Sequence, residues 1–285
     1  VYKRQDQNTR LRMNNFIFPF SAVILYFASA TLLYFYRQKI NNQNTEGNFS
    51  LSKKAIVSIG LGGLILHALS LYSSMISPAG INLGFYNAIS LVSAFIVLLT
   101  LIAVWRYPVE ILAIILLPIA TIAMMFDFNK ETQHILDANS SNALIFHILT
   151  SIIAYSLLAL AALQAILISI QNKLLHDHHP GGIIKLMPPI KHMETLLFEV
   201  ILVGFIALTI SLASGLLFLE NMFAQQLAHK TILSIVAWLV FLTLLIGHWK
   251  LGWRGRTAIR WTLTGFASLM LAYFGSKFVL EVLLA

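Results

Sequence analysis

Three histidines lie within or at the end of long apolar stretches: His67, His147 and His248. A histidine in hydrocarbon is costly and is usually retained for a function. A neutral imidazole can ligate a metal, relay a proton or form a hydrogen bond with a neighbouring helix. Which of these roles applies depends on the elements that carry the three side chains.

The apolar stretches themselves predict membrane-spanning helices. The chain has 285 residues, of which 58% are hydrophobic and only 11% are charged, whereas a soluble domain carries about 25% charged residues. A bilayer core of about 30 Å needs roughly 20 apolar helical residues. We therefore predict an all-α, polytopic protein with eight transmembrane helices in one domain over residues 13–285. The uncharged runs cover residues 13–36, 55–105 (two spans, broken at Ser77-Pro78-Ala79-Gly80), 111–126, 138–172, 200–219, 231–249 and 261–276.

Basic residues are distributed unevenly between two alternating sets of loops. One set holds most of the lysine and arginine outside the N-terminus, whereas the opposite set holds only Lys130 and Lys230. The positive-inside rule places the basic set in the cytoplasm, so both termini are expected outside, which is the periplasm where the membrane is a bacterial inner membrane. The basic loops are residues 37–54, 105–110, 171–199 and 248–260, and the opposite loops are residues 76–87, 127–141 and 219–230.

The first twelve residues disagree with this orientation. They contain Lys3, Arg4, Arg10 and Arg12, although they would lie outside, and Met13 directly precedes the first span. We therefore expect residues 1–12 to be non-native or disordered and exclude them from fold reasoning.

Composition also restricts the chemistry. The chain has no cysteine, which excludes disulfides and Cys-ligated metals or haem. The net charge of +8 is concentrated in the loops assigned to the cytoplasm, so it indicates membrane orientation rather than a nucleic-acid partner. Four loop histidines lack the spacing of a fixed metal site, and we expect them to be solvated. They are His176, His178, His179 and His192.

Helical spacing places the three membrane histidines at two depths. A rise of 1.5 Å per residue puts His67 about 20 Å above the cytoplasmic edge and His147 about 8 Å below the outer edge. In a core of about 30 Å these depths nearly coincide, so His67 and His147 could share a ligand. His248 lies about 17 Å below them, at the inner edge, and would need a second site.

Paired imidazoles are the usual ligands of a low-spin b-type haem where neither thiolate nor methionine is used. Paired histidines also serve as proton relays and metal ligands. His67 shares a helical face with Gly60 and Gly63, which lets a neighbouring helix approach closely, so a structural hydrogen bond is the alternative there. For His248 the alternative is an interfacial position at the level of the lipid headgroups.

The most specific pattern of the chain lies in its last fifty residues. A helix ends in His248, Gly-Trp-Arg-Gly-Arg follows at residues 252–256, and a final helix contains Ala-Tyr-Phe-Gly at residues 272–275. This pattern resembles the cytochrome c assembly family of membrane proteins, which handle haem during the maturation of c-type cytochromes. Over residues 55–280 the chain is similar to the short, YpjD-type inner membrane branch of that family. The further matching features are Ser90-Leu91-Val92-Ser93, His147 with Ser151 and Tyr155, and Met187-Pro188-Pro189.

The resemblance implies a haem b cofactor, with His147 and His248 as the matching ligands. His67 has no counterpart in the family pattern and is a candidate through its depth alone. Full cytochrome c synthetases of this family carry a tryptophan-rich W-W-D motif in the outer loop before the penultimate span. The corresponding residues 219–230 contain no tryptophan, which argues against direct ligation of haem to cytochrome c. We therefore expect no enzyme activity and no catalytic residue.

These features predict a haem-binding or haem-handling membrane protein associated with cytochrome c assembly. Its expected partners are the lipid bilayer, haem and other cytochrome maturation proteins. The alternative is a non-catalytic membrane partner that stabilises another protein, supported by the missing motif and by the lack of evident charged pairs across the helices. A transporter is less favoured, because no acidic residue is expected at mid-membrane although glycines and Pro118 could break two helices.

Overall fold

The computed structural model describes residues 2–41, 51–77, 80–129, 135–137, 140–177, 184, 186–218 and 228–275. Within these ranges the chain forms eight α-helices and one small β-sheet, which confirms the all-α architecture. The chain divides into two compact units, Val1–Ala138 and Asn139–Ala285, and each is described separately.

In its described residues, the first unit contains four helices joined in part by short strands. A hairpin of β1 and β2 lies where the sequence predicts a break between two spans, with Ser77 paired to Gly80. A third strand pairs antiparallel to β2, with Ile81 opposite Leu136, and it was not predicted. The elements are α1 (Tyr2–Asn41), α2 (Lys53–Met75), β1 (Ile76–Ser77), β2 (Gly80–Asn82), α3 (Phe85–Arg106), α4 (Glu110–Asn129) and β3 (Ile135–Asp137). Since α1 begins at Tyr2, residues 2–12 are helical, and whether they are native stays a prediction.

Small residues allow α2 to pack closely against α1 and α3. A Cβ at Gly63 would come within 2.8 Å of the Tyr26 ring, and one at Gly60 would come within 3.0 Å of Leu101. Ser29 on α1 donates a hydrogen bond of 3.1 Å to the carbonyl of Ile56 on α2. The glycine face of α2 is therefore buried against its neighbours, as the helical spacing predicts.

The second unit is built on an antiparallel pair of long helices, α5 (Asn142–His176) and α6 (Ile190–Phe218). Two buried glutamines of α5 donate to backbone carbonyls near the start of α6. Gln164 Nε2 reaches Met193 at 2.7 Å, and Gln171 Nε2 reaches Pro188 at 2.9 Å. The described residues of this unit also form α7 (Ala228–Leu251), α8 (Gly255–Met270) and a π-helical turn (Leu271–Gly275).

Six helical segments in the described residues are long and apolar enough to cross a membrane. The apolar part of α4, Glu110–Met125, is shorter, and the corresponding uncharged run of residues 111–126 is one of the two shortest in the sequence, together with residues 261–276. Membrane crossing by α4 and α8 and the periplasmic location of the termini stay predictions. The six segments are Ile17–Asn41, Lys53–Met75, Phe85–Arg106, Asn142–His176, Ile190–Leu217 and Lys230–Leu251.

One charged cluster in the first unit was missed, and it corrects the expectation that no charged pairs join the helices. Glu110 begins α4 and has a side chain only 2% exposed. Its carboxylate lies 3.6 Å from Arg37 Nη1 on α1 and 3.4 Å from Lys53 Nζ on α2. Lys53 Nζ also donates to the carbonyl of Tyr107 at 3.2 Å. These contacts connect α1, α2 and the α3–α4 connection.

Substitution of Glu110 by alanine is expected to destabilise the protein, because Arg37 and Lys53 would then face each other without the carboxylate. Removing one partner of a buried ion pair costs about 3–5 kcal/mol, and we expect a loss of about 3 kcal/mol because both cations are partly exposed. Thermal unfolding in detergent measures the loss. The control is Glu199→Ala, since Glu199 is exposed and makes no ion pair with a described residue. Equal unfolding midpoints for the two variants would contradict a structural role for Glu110.

Candidate functional site

His67 lies on α2 and is fully buried in the first unit. Its Nδ1 is 3.2 Å from the Tyr26 hydroxyl on α1, and its Nε2 is 3.0 Å from Ser90 Oγ on α3. Both hydroxyls can donate or accept, so either neutral tautomer satisfies this network. His67 therefore connects three helices, and each of its ring nitrogens has a protein partner.

His147 lies near the start of α5, where the side chain of Ser141 caps the helix by accepting a hydrogen bond from the Leu144 amide at 3.3 Å. His147 Nδ1 is 2.9 Å from the carbonyl oxygen of Ser211 on α6 and 3.2 Å from Ser214 Oγ. A carbonyl oxygen can only accept, so Nδ1 carries the proton and donates it. In the neutral ring Nε2 is then a lone-pair donor, and no residue of the described chain is hydrogen-bonded to it.

His248 lies in the last turn of α7 and has the same pattern of hydrogen bonding. Its Nδ1 donates to the carbonyl oxygen of Trp253 at 3.0 Å. Its ring stacks on Phe198 of α6, with centroids 3.5 Å apart and an interplanar angle of 14°. Within the described residues, Nε2 of His248 again has no hydrogen-bonding partner.

A cavity of about 280 Å³ lies beside His248, between α6 and α7. Its volume is near the lower limit of small-molecule pockets, about 300 Å³. The α6 residues lining it recur at intervals of three and four, so they share one helical face. The lining combines basic, acidic, aromatic and aliphatic side chains: Lys191, Glu194, Thr195, Phe198, Glu199, Leu202, Leu245, His248, Trp249 and Arg254.

The contacts along α6 separate His147 from His248. His147 contacts Ser211, whereas His248 contacts Phe198. These two α6 residues are about 20 Å apart along the helix at a rise of 1.5 Å per residue. The two histidines therefore belong to different positions, as their depths in the sequence predict. His67 and His147 fall in separate units, and a ligand shared by them stays a prediction.

The loop histidines fall partly outside the described residues. His176 ends α5 and His192 lies in the first turn of α6, while His178 and His179 are among the residues that the structure does not describe. In the described ranges, no three histidine, aspartate or glutamate side chains are placed to hold a metal ion.

Sequence reasoning missed the groups that orient His248. The carbonyl of Trp253 carries no sequence signal of its own. Glu194, which accepts from the Gly255 amide at 2.9 Å, lies 61 residues away from it and has no pattern that connects it to His248. A partial signal exists in Gly252, since glycine after a helix commonly adopts a left-handed conformation that reverses the chain. Its φ of +67° confirms that role.

Residues 56–284 match the family described as cytochrome C assembly protein. The chain belongs to this family. It is 31% identical over 238 residues to inner membrane protein YpjD of Escherichia coli (strain K12), which covers 81% of this chain and 88% of the relative. With its apolar helices, this relationship identifies a multi-pass protein of the bacterial inner membrane.

More distant relatives carry a cytochrome c biogenesis name. The chain is 28% identical over 161 residues to cytochrome c biogenesis protein CcsA of Chlamydomonas reinhardtii, across 55% of this chain and 44% of the relative. It is 23% identical over 203 residues to CcsA of Prochlorococcus marinus (strain MIT 9515), across 61% of this chain and 64% of the relative. No solved structure matches the chain significantly.

Replacement of Tyr26 by phenylalanine is expected to destabilise the first unit, because the buried Nδ1 of His67 loses its partner. An unsatisfied buried polar group costs about 1–3 kcal/mol. Thermal unfolding in detergent measures the change. Tyr34→Phe on the same helix is the matched control, since its hydroxyl bonds Gln38 at an exposed position. A Tyr26→Phe protein as stable as this control would show that the His67 network contributes nothing measurable.

Proposed function

We propose that this protein binds haem in the inner membrane in support of cytochrome c assembly, with His147 and His248 as ligands. The observation that carries the proposal is the hydrogen bonding that these two histidines share. Each donates Nδ1–H to a backbone carbonyl, which leaves Nε2 as the ligating nitrogen. Histidines that bind a metal almost always donate their other nitrogen to a carbonyl, a carboxylate or water.

The surroundings of His248 fit a flat, largely apolar ligand that carries acidic groups. Phe198, Leu202 and Leu245 supply apolar side chains, while Lys191 and Arg254 line the same cavity. Arginine and lysine form charge-assisted hydrogen bonds with carboxylates. Haem combines an apolar ring, an iron that accepts imidazole and two carboxylates, so its chemistry matches these side chains.

At His147, serine side chains rather than a cavity support the proposed ligand position. Ser151 Oγ is 2.6 Å from Ser211 Oγ, and Ser214 Oγ donates to the Ser211 carbonyl at 2.8 Å. These hydroxyls hold α5 and α6 together beside the imidazole and keep the accepting carbonyl in place. We propose that His147 binds haem at a second position, separate from that of His248.

The sequence also predicts His67 as a ligand, but His67 belongs to neither of the two proposed haem positions. Its two nitrogens bond the hydroxyls of Tyr26 and Ser90, so ligation by His67 would require one of these hydrogen bonds to break. We propose that in the described conformation His67 supports the helix packing of the first unit.

We propose haem binding and handling rather than catalysis. The family and the CcsA relatives support a role in cytochrome c biogenesis. The outer loop of residues 219–230 contains no tryptophan, so the motif with which synthetases of the family are associated is missing. A supply, holding or sensing role for haem agrees with both facts, with cytochrome maturation proteins as partners.

The second candidate function is a non-catalytic partner that stabilises another membrane protein. The missing tryptophan motif favours it. The lack of charged pairs between helices no longer supports it, because Glu110 forms ion pairs with residues of two other helices. Such a protein would co-purify with one stoichiometric partner, and the His147→Ala and His248→Ala variants would retain that partner.

Purified protein reconstituted with haemin is expected to show a b-type Soret band. Because the two positions are separate, His147→Ala and His248→Ala should each lower the haem stoichiometry, and the double variant should bind none. Absorbance titration measures this, with exposed His192→Ala as the matched control. Wild-type protein that stays colourless after reconstitution would rule the proposal out, as would a double variant with unchanged stoichiometry.

A further inference from the structure

The connection between α7 and α8 holds the group that orients His248. It consists of residues 252–254 and begins with Gly252 in a left-handed conformation. The Gly252 amide donates to the His248 carbonyl at 3.2 Å, and the Trp253 amide donates to the Gly247 carbonyl at 3.1 Å. The Trp253 carbonyl then accepts from His248 Nδ1. The backbone of this turn is therefore folded back onto the helix end that carries His248.

The side chain of Trp253 fixes the same turn by packing. Its ring lies directly over Gly247, where any Cβ would overlap the indole. The ring also lies against Trp261 of α8, with centroids 5.4 Å apart. Glycine at position 247 is thus required by the close approach of Trp253, and the indole in turn sets where the Trp253 carbonyl lies.

The far end of the turn is anchored by α6. Glu194 Oε1 accepts a hydrogen bond of 2.9 Å from the Gly255 amide, the first residue of α8. That amide is one of the donors that a helix leaves unpaired at its start, and a carboxylate there is also favoured by the helix dipole. The N-cap residue Arg254 supplies no side-chain hydrogen bond of its own.

One face of α6 therefore acts on His248 in two ways. Glu194 holds the turn that presents the Trp253 carbonyl, and Phe198, one helical turn later, stacks on the imidazole. We propose that Glu194 is a positioning residue for His248: through the 252–254 turn, it fixes the imidazole with Nδ1 on Trp253 and Nε2 available to a ligand. This inference rests on the proposed haem ligation by His248.

Two substitutions separate the hydrogen bond of Glu194 from its charge. Glu194→Gln keeps an oxygen within reach of the Gly255 amide, whereas Glu194→Asp keeps the charge on a side chain one methylene shorter. When a metal-ligating histidine loses the group that accepts its other N–H, here the Trp253 carbonyl, metal affinity falls by about 10–100-fold. We expect that loss for the aspartate variant, and near wild-type affinity for the glutamine variant. Haemin titration in a His147→Ala background reads the His248 position alone.

Gly247→Ala tests whether His248 is oriented through Trp253, and it leaves Glu194 unchanged. Its Cβ would displace the indole, so we expect a loss of haemin affinity similar to that of Glu194→Asp. The matched control is Gly62→Ala, where the new Cβ would meet only Leu25 at an ordinary contact distance of 3.4 Å. Thermal unfolding of each protein shows which variants are folded.

A second measurement uses the haem-free, full-length protein. Diethyl pyrocarbonate reacts with unprotonated imidazole nitrogens, and mass spectrometry assigns the reaction to individual histidines. We expect faster labelling of His248 in Glu194→Asp and Gly247→Ala, because a ring released from the Trp253 carbonyl becomes more accessible. His192, exposed in the first turn of α6, is the internal reference and should not change.

The two measurements separate the failure of each proposal. If the His147→Ala protein binds no haemin, ligation by His248 is wrong, and labelling alone decides whether Glu194 positions the ring. If haemin binds but the aspartate variant matches wild type in both measurements, the positioning role is overturned. It is also overturned if the glutamine variant loses as much as the aspartate variant, or if folded Gly247→Ala protein behaves like wild type.

Discussion

Hydrocarbon offers no water to a polar group, so buried donors and acceptors of membrane helices must find partners within the protein. This constraint bears on what His67, His147 and His248 can do. His67 meets it with two hydroxyls from neighbouring helices. His147 and His248 each meet it with a backbone carbonyl bonded to Nδ1. A carbonyl can only accept, so it fixes the tautomer and keeps a lone pair on Nε2, whereas paired hydroxyls occupy both nitrogens.

The two units satisfy this constraint in different ways. In the first unit, the buried polar groups connect helices: His67 links α1, α2 and α3, and Glu110 links the ends of α1, α2 and α4. In the second unit, His147 and His248 each use only Nδ1 in hydrogen bonds among the described residues. Both side chains are partly exposed, so Nε2 is available to a ligand, which agrees with the proposed binding role.

The sequence predicts the parts of this structure that depend on local pattern. Long uncharged runs predict the helices, Ser77-Pro78-Ala79-Gly80 predicts the break at the β1–β2 hairpin, and the glycine spacing of α2 predicts the buried face of His67. The hydrogen-bonding partners could not be predicted, because they come from distant parts of the chain. Tyr26 lies 41 residues from His67, Ser211 lies 64 residues from His147, and Glu194 lies 61 residues from Gly255. Without knowledge of which helices pack together, Glu194 is an ordinary interfacial carboxylate.

Helix α6 is the element that contacts both His147 and His248. Its first turns supply Glu194 and Phe198 to the His248 position, and its later turns supply Ser211 and Ser214 to His147. A continuous helix keeps these two sets of contacts at a fixed separation of about 20 Å, which is too far for one iron to be bound by both imidazoles. Under the proposed function, a haem that moves between the positions must therefore leave one imidazole before it reaches the other. The groups that orient each ring would then set its affinity independently, so a change at Glu194 can alter the retention of haem at His248 without altering the position at His147.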